Sequence, residues 1–145
     1  MGRIVATVRI GNTSDLAGSL SCEALVDTGA SLMTLPSAWK ERLGVFEFTE
    51  EIEVETATQE VVRAEVCGPV RIQIEGFRPI LNEVVFIEMK PSNGSYEPLI
   101  GYIVLEQSQA AVDMEGHRLV RAKHFDLKLA LTIFLQTTSS PAAAV

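Results

Sequence analysis

Ala24-Leu25-Val26-Asp27-Thr28-Gly29-Ala30-Ser31 joins an alternating apolar run directly to a carboxylate, a hydroxyl and a glycine. Upstream, Leu20, Cys22, Ala24 and Val26 alternate with Ser21, Glu23 and Leu25, the period-two pattern of a strand with one buried face. That strand runs into Asp27 and anchors its carboxylate against a core. Thr28 can hydrogen-bond nearby backbone, and Gly29 lets another chain approach with no Cβ in the way. A rigid, partly buried carboxylate is what tuned acid–base chemistry needs. An Asp-Thr-Gly alone is most often a turn, because Asp and Gly both favour turns. The apolar strand leading into this one sets it apart.

Working outward, the chain reads mostly as strand. Arg3 to Ile10 alternates and is β-branched, and Gly11-Asn12 ends it. Ser31 to Leu35 is a short extended piece. Pro36 then opens a helix through Ser37 to Leu43, which Gly44 closes, with proline in the first turn and glycine after the last. Ile52, Val54 and Thr56 alternate with glutamates, and Val62, Ala64 and Val66 mirror them beyond Ala57-Thr58-Gln59. That pattern predicts a long hairpin with a charged outer face. Val70 to Ile74 is a further strand, Glu75-Gly76 a turn, Ile80 to Ile87 another strand, and Pro91 to Ser95 a loop. Leu99-Ile100-Gly101 leads into a short helix ending near Gln107. Ala110 to Asp113 and Arg118 to Arg121 flank a turn. Phe125 to Leu135 fits a strand or a helix equally well. The whole reads as one mainly β domain over residues 1–136 with a frayed, uncharged tail over residues 137–145.

The 145 residues are 47% hydrophobic and 21% charged, enough to bury a core without disulfide staples. The formal charge of −7 repels phosphate, so neither nucleic acid nor an anionic membrane is an expected partner. Cys22 and Cys67 lack the spacing of a zinc or redox motif and read as small buried hydrophobes. His117 and His124 have no ligating residues at metal-like spacing, so no metal is expected. Neither a phosphate loop nor a Gly-x-Ser-x-Gly elbow occurs, so no nucleotide cofactor or serine nucleophile is implied. With no signal peptide and no long apolar run, a cytoplasmic home is expected. Trp39 reads as a core anchor. The acidic run from Glu47 to Glu60 carries no Lys or Arg and reads as a solvated face rather than a selector of basic substrates.

The stretch from Ala24 to Ser31 resembles the active-site loop of the aspartic peptidases, an apolar triplet followed by Asp-Thr-Gly. Leu99-Ile100-Gly101 is similar to that family's apolar-apolar-Gly element, which lies under the loop and leads into a helix. The hairpin between them sits where the family has its flap. A single Asp-Thr-Gly points to the retropepsin branch, in which two identical chains each supply one aspartate. The resemblance implies a retropepsin-like acid-protease half-barrel with one or two short helices and a flap hairpin. It implies a homodimer that hydrolyses peptide or protein substrates without a cofactor. Asp27 would be catalytic, and Thr28, Gly29, Ala30 and Ser31 would form the active-site loop. Thr56, Ala57, Thr58 and Gln59 would close over substrate as the flap. Leu99, Ile100 and Gly101 would support the loop.

Ala30 stands where pepsins often carry a serine that donates to the carboxylate, which predicts activity at weakly acidic to neutral pH. Ser31 replaces an aspartate common in retropepsins, the flap tip lacks glycine, and Tyr102 follows Gly101 where a polar residue is common. The rival expectation is a silent module of the same fold, used for dimerisation or peptide capture.

Overall fold

The computed structural model describes residues 3–122. Seven strands form one sheet: β1 (Val5–Asn12), β2 (Ser19–Val26), β3 (Met33–Pro36), β4 (Phe48–Glu55), β5 (Val61–Ile74), β6 (Ile80–Ile87) and β7 (Leu99–Ile100). Their order is β1-β2-β7-β3-β6-β5-β4, and β1 also pairs with β5, so the sheet curls round and closes on itself. A 3₁₀ helix (Ser37–Leu43) follows β3 and a short helix α1 (Tyr102–Gln107) follows β7. Strands β8 (Ala110–Asp113) and β9 (Arg118–Arg121) make a separate hairpin.

Alternation in the sequence becomes inside and outside. Val8, Ile10, Ala24, Ile72, Ile74, Val84 and Phe86 point into the closed sheet and are buried. Each fully buried aliphatic side chain of this size contributes about 1.5–3 kcal/mol by leaving water. The helices seal the core with Leu43, Val104 and Leu105. Phe46 packs on Phe86 with ring centroids 5.8 Å apart.

Several expected boundaries move. Proline does not open the first helix: Pro36 is extended (φ −67°, ψ 139°) and ends β3, whose ladder to β6 runs through Pro36. The helix after it is 3₁₀ rather than α. The extended piece begins at Met33 rather than Ser31, because the Ser31 carbonyl accepts from Ile103 N–H at 3.1 Å. The two strands expected on either side of Gly68 are one strand, β5. Its ladder to β6 resumes after a register shift between Cys67 and Val70, so the break costs one irregularity rather than a strand end. Asn12 belongs to β1 instead of ending it. Trp39 packs against the core but stays half-buried, edge-on to Tyr96 at 5.9 Å and with Arg42 5.2 Å from its ring centre. The segment from Phe125 to Leu135 and residues 137–145 lie outside the described residues. Among the described residues no helix is long and apolar enough to cross a membrane.

Asn12 pins the closed end of the sheet. It is buried, and its Nδ2 donates to the carbonyls of Leu43 at 2.7 Å and Val45 at 2.9 Å. Its Oδ1 accepts from Ser14 N–H at 2.9 Å. Beside it, a Cβ on Gly18 would lie 2.1 Å from the Leu43 carbonyl oxygen, so only glycine lets the loop pass the helix end. At the opposite hairpin, Asp113 accepts from Glu115 and Gly116 N–H at 3.1 and 3.0 Å and from Arg118 Nε at 3.2 Å. The Gly116 N–H, followed by the Arg118 contact, holds the Asp113 carboxyl below its ordinary value. The turn is therefore tightest above that range and loosens as pH falls through the lowered value.

Asn12→Ala leaves the buried Leu43 carbonyl and the part-buried Val45 carbonyl without this donor and is expected to cost about 1–3 kcal/mol. Urea unfolding followed by circular dichroism measures it, and an unchanged midpoint would show that Asn12 is not the pin.

Candidate active site

Strand β2 ends at Val26, and its last residues are held from both sides. Val26 N–H donates to the Ile4 carbonyl at 2.8 Å, and Leu25 N–H donates to the Pro98 carbonyl at 2.9 Å. Strand β7 runs parallel to β2 (Leu25↔Leu99, Val26↔Ile100) and antiparallel to β3 (Thr34↔Leu99), so it sits between them. Asp27 N–H extends that ladder by one bond, to the Ile100 carbonyl at 3.0 Å. The carboxylate thus leaves a fixed backbone.

The loop beyond folds over its own first residue. Ala30 N–H donates to the Asp27 carbonyl at 3.1 Å, and Gly29 N–H donates to Asp27 Oδ1 at 2.9 Å. The second bond fixes the plane of the carboxyl group. Asp27 is half-buried, while Thr28, Gly29 and Ser31 are exposed at the loop tip. Among the described residues no side-chain hydrogen bond forms at Thr28 or Ser31.

Ile100 and Gly101 lie against this loop. Tyr102 N–H donates to the Ala30 carbonyl at 2.9 Å, and Ile103 N–H to the Ser31 carbonyl at 3.1 Å. A Cβ on Gly101 would stand 2.4 Å from the Ser31 carbonyl carbon and oxygen, both backbone atoms. The two segments are pressed together where only glycine fits. Ile100, with no exposed surface, roots the pair in the core.

The hairpin of β4 and β5 carries Thr56, Ala57, Thr58 and Gln59 in its turn. Thr56 N–H donates to the Glu60 carbonyl at 2.8 Å, and Gln59 N–H to the Thr56 carbonyl at 2.9 Å. Gln59 takes a left-handed φ of 65°. Strand β4 is the open edge of the sheet. Glu51, Glu53 and Glu55 lie on its exposed side, while Ile52, Val54 and, across the ladder, Val62 are half-buried on the other. The glutamates are therefore a solvated face, as read from the sequence. The turn and the Asp27 loop belong to separate elements, and none of the hydrogen bonds described joins them.

Some contributors were not picked out from the sequence. The carbonyls of Ile4 and Pro98 have no side-chain signature. Arg3, Tyr96 and Glu97 line a cleft on the Leu25 side of β2, and they meet only in the fold.

The chemistry of the two cysteines is muted. Burial pushes the Cys22 thiol up from an ordinary 9.0 to about 11, against a smaller opposing pull from Arg42. Burial also raises Cys67, whose Sγ sits 3.4 Å from Thr49 Oγ1. His117 is exposed in the β8–β9 turn, and His124 lies outside the described residues.

A family model described as aspartyl protease matches residues 6–103 of this chain. No curated protein matches it. Among solved structures, the chain is similar to EIAV protease in complex with the inhibitor HBY-793, with a TM-score of 0.53 and 20% identity. The likeness covers 73% of this chain and 88% of that one. At that identity it speaks for the fold, a retroviral-protease-like mainly β architecture.

Two outcomes are expected. Gly101→Ala must push the Asp27 loop off its support and should lower stability by about 1–3 kcal/mol, measured by urea unfolding. An unchanged midpoint would mean that the contact is slack. For Cys22, the shift from 9.0 to about 11 means that alkylation at pH 8.5 should run about 100-fold slower than for an exposed thiol. Thiolate formation favours the unfolded chain here, so stability should fall as pH rises from 9 towards 11. Mass spectrometry of iodoacetamide-treated protein checks the first, and thermal unfolding against pH the second.

Proposed function

The chain belongs to the aspartyl protease family, and on that premise we propose that it is a homodimeric aspartic endopeptidase, with one Asp27 from each of two chains. The observation that carries this reading is the fixed carboxylate: Asp27 held by the Ile100 carbonyl below and by Gly29 N–H at its Oδ1.

A single aspartate is half a catalyst. Peptide hydrolysis by this chemistry needs one carboxylate to accept a proton from water and one carboxylic acid to polarise the scissile carbonyl. Two carboxyls a few ångströms apart share one proton because both cannot ionise. The other described aspartates are occupied elsewhere. Asp15 is at the turn beside Gly44, and Asp113 is at the β8–β9 turn. A second copy of Asp27 across a two-fold axis supplies the partner.

The ionised member takes a proton from water as its oxygen attacks the carbonyl carbon. The protonated member gives its proton to the carbonyl oxygen, forming a neutral gem-diol. Collapse breaks the C–N bond: the carboxyl group that took the water proton delivers it to the leaving amine, and one gem-diol hydroxyl returns its proton to the other carboxylate, which leaves a carboxylic acid product and the one-proton pair. Thr28, exposed at the tip, would bond the two loops across the axis, and Gly29 would offer backbone to substrate.

An extended peptide would lie as an added strand between the loop and the hairpin. Thr56 to Gln59 would close over it, with Ile52, Val54 and Val62 as an aliphatic cover. Ala30 and Ser31 would line the floor. Residues 1–136 would act as one domain. Cytoplasmic residence belongs to this reading, and Cys22 and Cys67 as free thiols are compatible with it.

Asp27→Asn should leave the circular dichroism spectrum unchanged and lower cleavage of a mixed peptide library by about 10³-fold or more between pH 4 and 7.5. Cleavage at the wild-type rate would remove Asp27 from the mechanism. No cleavage by a folded, dimeric wild-type protein would favour a silent peptide-binding module.

A further inference from the structure

Glu23, Leu25 and Asp27 alternate along one face of β2, about 7 Å apart at each step. The opposite face, Cys22, Ala24 and Val26, is turned to the core. The face that presents Asp27 therefore continues into the cleft of ≈ 350 Å³ that Glu23 and Leu25 line. Val5 borders it from β1, Arg3 from the residues before β1, and Tyr96 and Glu97 from the segment before β7. A hydrogen-bonded turn at residues 92–95 closes its far side.

The charges in this cleft do not cancel. The Arg3 guanidinium pairs with Glu97. Glu23 enters no ion pair among the described residues, and neither does Arg9, the diagonal neighbour on β1. Within the lining, Glu23 is the carboxylate without an ion-pair partner, and it stands over walls made of Val5, Leu25 and the ring of Tyr96. The chemistry that fits is a side chain with an apolar stem and a cationic end.

We propose that this cleft is a specificity pocket for an arginine or lysine side chain of the peptide, with Glu23 as the residue that selects the charge. The proposal rests on Asp27 marking the substrate-binding face, and it names the substrate class: basic peptides. Arginine would lay its methylenes on Leu25 and Val5 and set its guanidinium against Glu23, while the Arg3–Glu97 pair closes the cleft wall.

The test compares peptides that differ only in arginine against its neutral isostere citrulline, moved one position at a time through a peptide that the protein binds. Binding is read by fluorescence anisotropy on Asp27→Asn protein, and cleavage on wild-type protein. At one position, arginine should bind about fivefold tighter than citrulline, the scale of one partly exposed ion pair. The difference should vanish in Glu23→Gln, persist in Glu115→Gln on the β8–β9 turn, and invert in favour of a glutamate peptide in Glu23→Lys.

Equal binding of arginine and citrulline at every position, no binding of any peptide, or a preference that survives Glu23→Gln would overturn the pocket. Cleavage that persists in Asp27→Asn would instead overturn the catalytic reading. The two failures are thus distinct.

Discussion

The contact between Gly101 and the Ser31 carbonyl is the constraint on which the rest of the site depends. Two chain segments, residues 27–31 and 100–103, cross with their backbones in contact. Their joint is a set of main-chain hydrogen bonds: Asp27 to Ile100, Tyr102 to Ala30 and Ile103 to Ser31. Backbone bonds of this kind fix position without spending side chains, so Asp27, Thr28 and Ser31 stay available. The crossing itself needs a residue with no Cβ. Below it, Ile100 is fully buried, so moving the loop would mean opening the core.

The closed sheet explains why such a joint is possible. Strand β7 is only Leu99 and Ile100, yet it is wedged between β2 and β3 with opposite senses of pairing. A two-residue strand has little stability of its own. It holds its place because the sheet around it closes through β1 and β5. Asn12 serves that closure at its far end by gathering the carbonyls that follow the 3₁₀ helix. The rigid part of the molecule thus lies beneath the carboxylate. The β4–β5 hairpin stands at the open edge of the sheet and is half-exposed on its less exposed side.

Much of this was legible in the amino-acid order because the signals were local. The alternation at Leu20 to Val26, the hairpin around Ala57-Thr58-Gln59 and the helix after Gly101 each depend on neighbours in sequence. The errors share one cause, which is that pairing partners decide where an element ends. Pro36 looked like a helix start because proline fits the first turn, but the ladder to β6 claimed it first. Val70 to Ile74 looked like a separate strand, yet β6 pairs with β5 on both sides of Gly68-Pro69, across a register shift, and β1 takes up the ladder from Val70. Trp39 does pack on the core, but only in part, because Tyr96 and Arg42 also meet its ring.

By itself the sequence determined the strand that ends in Asp27, the presence of one such motif per chain and the class of fold. Those follow from periodicity and residue chemistry within a few positions. The tertiary structure decided which carbonyls hold the carboxylate, why position 101 must be glycine, and that Arg3 and Glu97 meet although they are 94 residues apart. The physical reason is reach. Hydrophobic alternation acts between neighbours, whereas a crossing, a wedge or a cleft exists only when the closed sheet brings distant segments within bonding distance.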